Sequence, residues 1–354
     1  MSVVLVTGSG GLVGSETVRY YLAQGFDVVG IDNDMRGCFF GPAASVSWNI
    51  RELRTLRGYI HYDVDIRHED QVAEVFDRYG RDVALVVHAA AQPSHDWAAQ
   101  EPLTDFDINA RATLVLLEAF RRCCSNAPFI YLSTNKVYGD RPNTLPMVEQ
   151  DTRWELDPRH PYAQGFDESL SIDCTMHSLF GVSKAAADLM VQEYGRYFGL
   201  ATACFRGGCL TGPAHSGAPL HGFLGYLVRC GVSGTEYEIL GYKGKQVRDN
   251  IHSHDLVRAF EAFRTAPRSA EVYNIGGARQ NSCSVLEAIT LCQQIVGREM
   301  VVRYRDEARR GDHIWWISDL SRFRSHFPDW AIEKDLPTTL REMAESIAAR
   351  TPGA

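Results

Sequence analysis

The chain has 354 residues, of which 45% are hydrophobic, and 36 Lys+Arg against 44 Asp+Glu leave a formal charge of −8. This acidic balance argues against nucleic acid or an anionic membrane as a partner, because both attract basic patches. No apolar run reaches about 18 residues, so no membrane span is expected. The first residues, MSVVLVTGSG, do not resemble a secretory signal. The nine cysteines lack metal-ligand spacing, which favours free thiols, no metal site and a cytoplasmic location.

The first half of the chain alternates short β-branched runs with longer helical patterns. Strands are predicted at 3–8, 27–32, 59–65, 83–90 and 127–134. Helical patterns follow the first strand through Leu22 and recur near 69–80, 105–124 and 180–198. This alternation predicts an α/β fold with a Rossmann-type, doubly wound parallel sheet that is covered on both faces.

The second half is less regular, with frequent Gly and Pro between about 207 and 245. This composition predicts a smaller C-terminal α/β domain, and the pattern at 247–275 is that of a helix followed by a strand. The predicted first domain is 1–212, with 247–275 and part of 313–350 returning to it. The predicted substrate-binding domain consists of 213–246 and 276–312.

A glycine motif, G-x-x-G-x-x-G, lies between the first strand and the first helix. Glycines there permit a tight turn and bring backbone amides close to a pyrophosphate at the positive end of a helix. The strand–turn–helix context supports a dinucleotide site. The predicted cofactor contacts at this turn are Gly8, Gly11, Leu12, Val13 and Gly14.

Further cofactor positions follow the later strands. Asp32, 18 residues beyond Gly14, is placed to accept the ribose hydroxyls and to repel a 2′-phosphate, which favours NAD over NADP. The nearby Arg36 leaves NADP as the alternative. The other positions predicted to line this site are Asn33, next to Asp32, Asp65 and Ile66 at the adenine edge, and Ala89, Ala90 and Ala91 after the fourth strand.

Several segments resemble the extended short-chain dehydrogenase/reductase family of nucleotide-sugar epimerases and dehydratases. They are TGSGGLVG (7–14), HAAAQ (88–92), LSTNKVYG (132–139), QVRDNIHSHDL (246–256), YNIGG (273–277) and RRGD (309–312). DNDMRGCFFG, AAQPSHDW and FRGGCLTGP look most like the CDP-paratose 2-epimerase subfamily.

This resemblance implies bound NAD, a nucleotide-diphospho-sugar substrate (a CDP-sugar in that subfamily) and inversion of C2 through a transient ketone. It also implies a homodimer or homotetramer built on the helices near 105–124 and 180–198. The cofactor contacts that it implies are Asn109, Ser133 and Lys184. It places Arg248 and Arg309 on the substrate pyrophosphate, and His95 and Asn135 near the sugar.

The sequence departs from the family at the usual base. The family motif Tyr-x-x-x-Lys is FGVSK here, so Phe180 stands where the Tyr belongs and Lys184 is retained. Three interpretations remain open. Another group replaces the Tyr, with His177, His95, Tyr138 and Tyr162 as candidates; or the proton leaves through water with Thr134 as a relay; or catalysis is impaired.

The residues after Thr134 bear on the reaction type. In the dehydratases that the chain resembles, an Asp-Glu pair follows this Thr, whereas Asn135 and Lys136 follow it here. This difference favours an epimerase, with a dehydratase, a decarboxylase, a 4-epimerase or an inactive NAD-binding sensor as alternatives. His252 and His254 have no evident third metal ligand and are predicted to be structural.

Overall fold

The computed structural model describes residues 2–218, 222–309 and 311–350. Its strands are β1 (Val3–Thr7), β2 (Asp27–Ile31), β3 (Tyr59–Tyr62), β4 (Val83–His88), β5 (Phe129–Thr134), β6 (Met147–Glu149), β7 (Trp154–Leu156), β8 (Thr202–Gly207), β9 (Cys209–Thr211), β10 (Tyr237–Leu240), β11 (Val247–His252), β12 (Glu271–Ile275), β13 (Ser282–Ser284), β14 (Val302–Arg305) and β15 (Trp315–Trp316).

Its helices are α1 (Leu12–Ala23), α2 (Met35–Phe40), α3 (Ser47–Leu53), α4 (Glu69–Tyr79), α5 (His95–Gln100), α6 (Pro102–Phe106), α7 (Ala112–Cys123), α8 (Leu179–Phe198), α9 (Phe223–Ser233), α10 (Ser253–Thr265), α11 (Val285–Val296), α12 (Ser321–His326) and α13 (Leu336–Arg350). A π-helical turn, Asp107–Arg111, joins α6 to α7.

The central sheet confirms the predicted Rossmann-type α/β fold. Its seven strands run in the order β12-β8-β5-β4-β1-β2-β3, and β1 pairs in parallel with both β2 and β4. Leu85, Val86 and Val87 in β4 are all buried, as expected for a parallel strand that is covered on both faces. The strand order reverses at β1 and β4, so the carboxyl ends of these strands border the crevice in which such sheets bind ligands.

The first of two compact units contains Met1–Val137, Leu179–Arg206 and Leu256–Tyr273. Its core lies between the sheet and the helices α4, α7 and α8. The core includes Leu5, Val29, Phe76, Val86, Leu117, Phe129 and Val191, which are at most 1% exposed. Burying each such side chain contributes about 1.5–3 kcal/mol.

The second unit contains Tyr138–Ser178, Gly207–Asp255 and Asn274–Ala354. Its core joins α9, α11 and α13 and includes Leu227, Ile239, Ala288, Leu340 and Met343. Ser284 accepts a hydrogen bond from the amide of Glu287, whose carboxylate accepts one from the amide of Ser284. This capping box starts α11 where the apolar face of the helix begins.

This division differs from the predicted domain boundaries. Residues 138–178 belong to the second unit, only 256–273 of the predicted segment 247–275 belong to the first, and 313–350 stay in the second. The prediction of a helix followed by a strand at 247–275 was wrong at its start, where β11 precedes α10 and β12. All six residues of β11 are buried and pair with neighbouring strands, although Arg248, Asp249 and Asn250 give them a polar sequence.

None of the helices in the described part of the chain combines the length and hydropathy that a membrane crossing requires. The nine cysteines all occupy described positions, and each is a free thiol.

Candidate active site

The turn between β1 and α1 forms a backbone cradle. Gly8 has a φ of +70°, and a Cβ there would lie 2.7 Å from a backbone nitrogen of the segment after β4. A Cβ at Gly14 would lie 2.0 Å from the carbonyl oxygen of Gly8. Gly11, the N-cap of α1, has no side chain to cover the helix end at which Leu12 and Val13 begin the first turn. This cradle fits a dinucleotide pyrophosphate, whose negative charge the positive end of α1 stabilises.

Asp32 lies directly after β2, beside the glycine turn. Its Oδ2 accepts a hydrogen bond from the amide of Gly10, and its Oδ1 accepts one from the amide of Asp34, each at 2.8 Å. Burial raises the pKa of Asp32, although these amides oppose the shift. The half-buried Asn33 follows it. The two amides fix the orientation of the carboxylate, which fits the role predicted for it on a ribose.

Two charged residues that were predicted to lie near the adenosine have partners within the protein. Arg36 places its guanidinium 4.9 Å from the ring centroid of Phe40, and burial lowers the pKa of Arg36 to about 10. Asp65 forms an ion pair with Arg67 at 2.6 Å, and its neighbour Ile66 is buried. Burial tends to raise the pKa of Asp65, but the hydrogen bonds from Arg67 outweigh it and lower the pKa. The charge of Asp65 is therefore largely compensated within the protein.

The segment after β4 packs on the glycine turn. The amide of Ala89 donates to the carbonyl oxygen of Thr7 at 3.2 Å, and the amide of Ala90 donates to the Oγ1 of the Thr7 side chain at 3.3 Å. Ala91 follows and is half-buried. Because each alanine adds only a methyl group, this backbone closely approaches Gly8.

Asn109 lies on the π-helical turn and joins three segments through hydrogen bonds. Its Oδ1 accepts from the amide of Gln92 at 2.9 Å, and its Nδ2 donates to Asp105 at 3.0 Å and to Ser183 at 3.1 Å. Asp105, which sequence reasoning missed, also accepts from Gln92 Nε2 and Ser183 Oγ. Burial raises the pKa of Asp105, although these hydrogen bonds oppose the shift. The Asn109 amide, predicted to contact the cofactor, is engaged in bonds within the protein.

Phe180 and Lys184 lie one turn apart near the start of α8. Phe180 is 6% exposed, and its ring meets that of His95 edge-to-face with centroids 5.1 Å apart. Lys184 is 3% exposed, and its Nζ donates to the carbonyl oxygen of Leu132 at 2.9 Å. The structure therefore brings His95 against Phe180, and places Lys184 at the carboxyl end of β5.

Three predicted residues lie at or just beyond the end of β5. Ser133 donates from Oγ to Asp188 at 2.5 Å. Thr134 accepts from the amide of Lys136 at 3.2 Å, and its Oγ1 lies 3.4 Å from Oδ1 of Asn135. Asn135 is 4% exposed. The Ser133 hydroxyl therefore faces the interior of the unit, whereas Thr134 is half-buried at the strand end.

A buried ion pair supports this region, and sequence reasoning missed it. Arg206 of β8 donates from Nε and Nη2 to the carboxylate of Asp188, at 3.1 and 2.8 Å. Gln192 donates to the same carboxylate at 2.7 Å. The position of Asp188, four residues after Lys184 on one helix face, was the signal available in the sequence. Burial lowers the pKa of Lys184 to about 7, although Asp188 opposes the shift.

The other candidate bases are placed less favourably. His177 lies two residues before α8 begins and is therefore outside the helix. Tyr138 is fully buried, and its hydroxyl donates to Asn274 at 2.8 Å. The hydroxyl of Tyr162 pairs with Ser169 at 3.0 Å. Both phenols are therefore already hydrogen-bonded to side chains of their own unit.

The two arginines predicted to bind the pyrophosphate lie in the second unit. Arg248 on β11 is 7% exposed, and its guanidinium lies 3.3 Å from Asp312 and donates to the carbonyl of Val247 at 2.8 Å. The amide of Asp312 in turn donates to the carbonyl oxygen of Arg309 at 3.2 Å. Asp312 thus contacts the guanidinium of Arg248 through its side chain and the main-chain carbonyl of Arg309 through its amide. Position 310 of the RRGD motif lies outside the described residues.

Acidic partners face His252 and His254. His252 lies 3.2 Å from Glu342, and His254 lies 3.9 Å from Glu333. Among the residues that the structure describes, no three or more His, Cys, Asp or Glu side chains cluster in a way that would hold a metal ion.

Comparisons with known proteins show which family the chain belongs to. The chain matches the NAD dependent epimerase/dehydratase family over residues 4–165 and 164–276. It is 32% identical to the CDP-paratose 2-epimerase of Salmonella typhi, an alignment that covers 93% of this chain and 94% of that protein. It is 28% identical to the dTDP-glucose 4,6-dehydratase of Salmonella typhimurium, over 86% of this chain and 80% of that one.

Solved structures share the fold. The UDP-glucose 4-epimerase of Bifidobacterium longum, solved with NAD⁺ and UDP, superposes with a TM-score of 0.79 at 21% identity, and the match covers 99% of each chain. The chain belongs to the NAD dependent epimerase/dehydratase family, and its cofactor is NAD.

Proposed function

We propose that the protein is a nucleotide-sugar epimerase that inverts C2 of a CDP-sugar through a transient ketone. When bound, NAD supplies the acceptor and donor for the hydrogen on that carbon. The chain itself must bind the sugar nucleotide, move the hydroxyl proton and leave room for the ketone to turn. The similarity to a CDP-paratose 2-epimerase over almost the full length of both proteins supports this assignment.

The choice of an epimerase over a dehydratase is supported by one observation: the carboxylates of Asp105 and Asp188, near Lys184, already accept hydrogen bonds from other groups of the protein. Elimination of water requires an acid and a base in addition to the hydride acceptor. Asp105 is bound by Gln92, Asn109 and Ser183, and the Asp188 carboxylate by Arg206, Ser133 and Gln192. The residues after Thr134, Asn135 and Lys136, add no carboxylate. Epimerisation requires none.

The cofactor is proposed to lie on the cradle of Gly8, Gly11 and Gly14. Asp32 takes the ribose hydroxyls and disfavours a 2′-phosphate. The guanidinium groups of Arg248 and Arg309 are proposed to bind the substrate pyrophosphate, because planar guanidinium pairs bidentately with phosphate oxygens. His95 and Asn135 are proposed to contact the sugar. Each of these roles predicts loss of cofactor or substrate affinity on substitution.

The test uses the purified protein with CDP-paratose in D₂O, followed by proton NMR. We expect an epimeric product of unchanged mass whose inverted carbon keeps its original hydrogen, because that hydrogen returns from within the site. A Gly14→Ala variant serves as the control without cofactor. Deuterium at the inverted carbon, or a product that has lost water or carbon dioxide, would contradict the proposal. Full NAD occupancy without turnover of any nucleotide-sugar would favour a sensor instead.

A homodimer is also proposed. Exposed apolar side chains are found on α6, α7 and α8: Leu103, Phe106, Leu114, Val182 and Leu189 are between 39% and 82% exposed. Apolar side chains on neighbouring helical segments are typical of a subunit interface. Sedimentation of the wild type and of a Val182→Glu/Leu189→Glu variant tests this, and a wild-type monomer would refute it.

A further inference from the structure

Lys184 is retained and buried, although Phe180 replaces the Tyr of the family motif. Its Nζ donates to the carbonyl of Leu132 and lies 4.2 Å from the ring centroid of Tyr131. Among the described residues, no carboxylate lies within ion-pair distance of this amine. Leu132 is two residues before Thr134, so the amine is held at the carboxyl end of β5, where such sheets bind ligands.

The carboxylates near Lys184 accept hydrogen bonds from other groups. Asp188 on the same helix is bound by Arg206 of β8, and Asp105 of α6 by three neutral donors. Both carboxylates therefore act on the amine only from beyond ion-pair distance.

The remaining titratable neighbours of Lys184 are neutral at pH 7. Burial raises the pKa of Tyr131 on β5 and of Cys204 on β8 well above their ordinary values, and it lowers that of His88 on β4 to about 3. Burial therefore dominates at Lys184 and brings its pKa to about 7, although the charges of Asp188 and Asp105 oppose the shift. A substantial fraction of the amine is neutral at pH 7, with a lone pair that can accept a proton.

Phe180 has no proton to exchange, and it lies on the same face of α8 as Lys184, one turn earlier. We propose that the amine of Lys184, held at the carboxyl end of β5 beside Phe180, is the base that removes the hydroxyl proton of the sugar, an inference that rests on the proposed function.

In that step the hydroxyl O–H bond breaks and its proton forms an N–H bond on Nζ, while the carbon-bound hydrogen leaves with its electron pair for the nicotinamide. On return, the ammonium gives its proton back to the oxygen as the carbon regains hydride. Lys184 ends as the neutral amine in which it began, so each turnover is balanced.

The proton chemistry of Lys184 can be measured without turnover. The chain has five lysines, at 136, 184, 243, 245 and 334. With ¹³Cε-labelled lysine and the NAD-loaded protein, NMR titration gives five signals, which Lys→Arg variants assign. We expect one midpoint near 7 that is absent from Lys184→Arg, against about 10.4 for an ordinary lysine. A Lys184 midpoint above about 9 would overturn the inference, whether or not a substrate has been found.

Kinetics separate Lys184 from its rival, His95. Lys184→Arg keeps the charge but cannot accept a proton, so we expect kcat to fall by about 10²–10⁴-fold with NAD retained. In Lys184→Ala, added alkylamines should restore turnover in order of their basicity, which a purely structural lysine would not allow. Because a protonated base cannot accept a proton, activity should fall as the pH is lowered. If His95→Gln abolishes that fall and Lys184→Arg does not, the base is His95 and the inference fails. Absence of turnover in the wild type would count against the proposed function alone.

Discussion

The buried pair of Asp188 and Arg206 makes a quantitative prediction about stability. The two side chains are 1% and 7% exposed, and two hydrogen bonds join them. Asp188→Asn keeps the shape of the side chain but leaves the guanidinium buried without its counter-charge, which costs about 3–5 kcal/mol. With an unfolding entropy of about 2.1 cal/mol/K per residue, or about 0.7 kcal/mol/K for the chain, the melting temperature should fall by about 4–7 °C.

The chain provides a matched control for this measurement. Asp157 and Arg159 are joined by two similar hydrogen bonds, at 3.0 and 2.7 Å, but the Arg159 side chain is 88% exposed. Asp157→Asn should leave the melting temperature, read by calorimetry, almost unchanged. The double variant Asp188→Leu/Arg206→Met should recover most of the loss, because it removes both charges. Equal shifts for the two Asp→Asn variants would refute the argument from burial.

Three further predictions concern the cofactor, the helix face and pH. The Gly14→Ala variant should lack bound NAD after purification, because the new Cβ would overlap the Gly8 carbonyl. Chromatography of the denatured protein measures the released cofactor, and retained NAD would refute the assignment of the glycine turn as the cofactor site. Phe180→Tyr should lower both turnover and melting temperature, since the hydroxyl enters a pocket packed around a phenyl ring; a many-fold rise in turnover would show that a phenol is the better base. Burial raises the pKa of Asp249 to about 6, above about 3.9 in the unfolded chain. The folded state therefore binds this proton more tightly, and the stability contribution of Asp249 increases as pH falls from about 7 to 4. Denaturant midpoints of Asp249→Asn should lack that trend.

Local patterns predicted the sheet and the glycine cradle. β1, the turn at Gly8 and α1 follow from a β-branched run, a glycine motif and helical periodicity that are contiguous in the chain. The parallel pairing of β1 with β2 and β4 follows from the same alternation. Such features depend on neighbours in sequence, so one sequence suffices to predict them.

The buried charges could not be predicted in this way. Arg206 and Asp188 are 18 residues apart, and nothing in their local pattern distinguishes them from surface charges. Asp105 and Asn109 meet Ser183 only because α6 and the π-helical turn pack against α8. Two domains were predicted, but their boundaries were beyond local reasoning, because the chain changes unit several times between 137 and 274.

The four-residue spacing of side chains along α8 limits which sequence changes this helix can accept during evolution. Phe180, Lys184 and Asp188 are four residues apart and share one stripe of the helix. Inserting a single residue between the first two would rotate Phe180 by about 100° relative to the rest of the stripe. Exchanges of side chain at position 180 leave the other two in place, whereas changes of length do not. Natural variation in this segment should therefore consist of replacements without insertions or deletions.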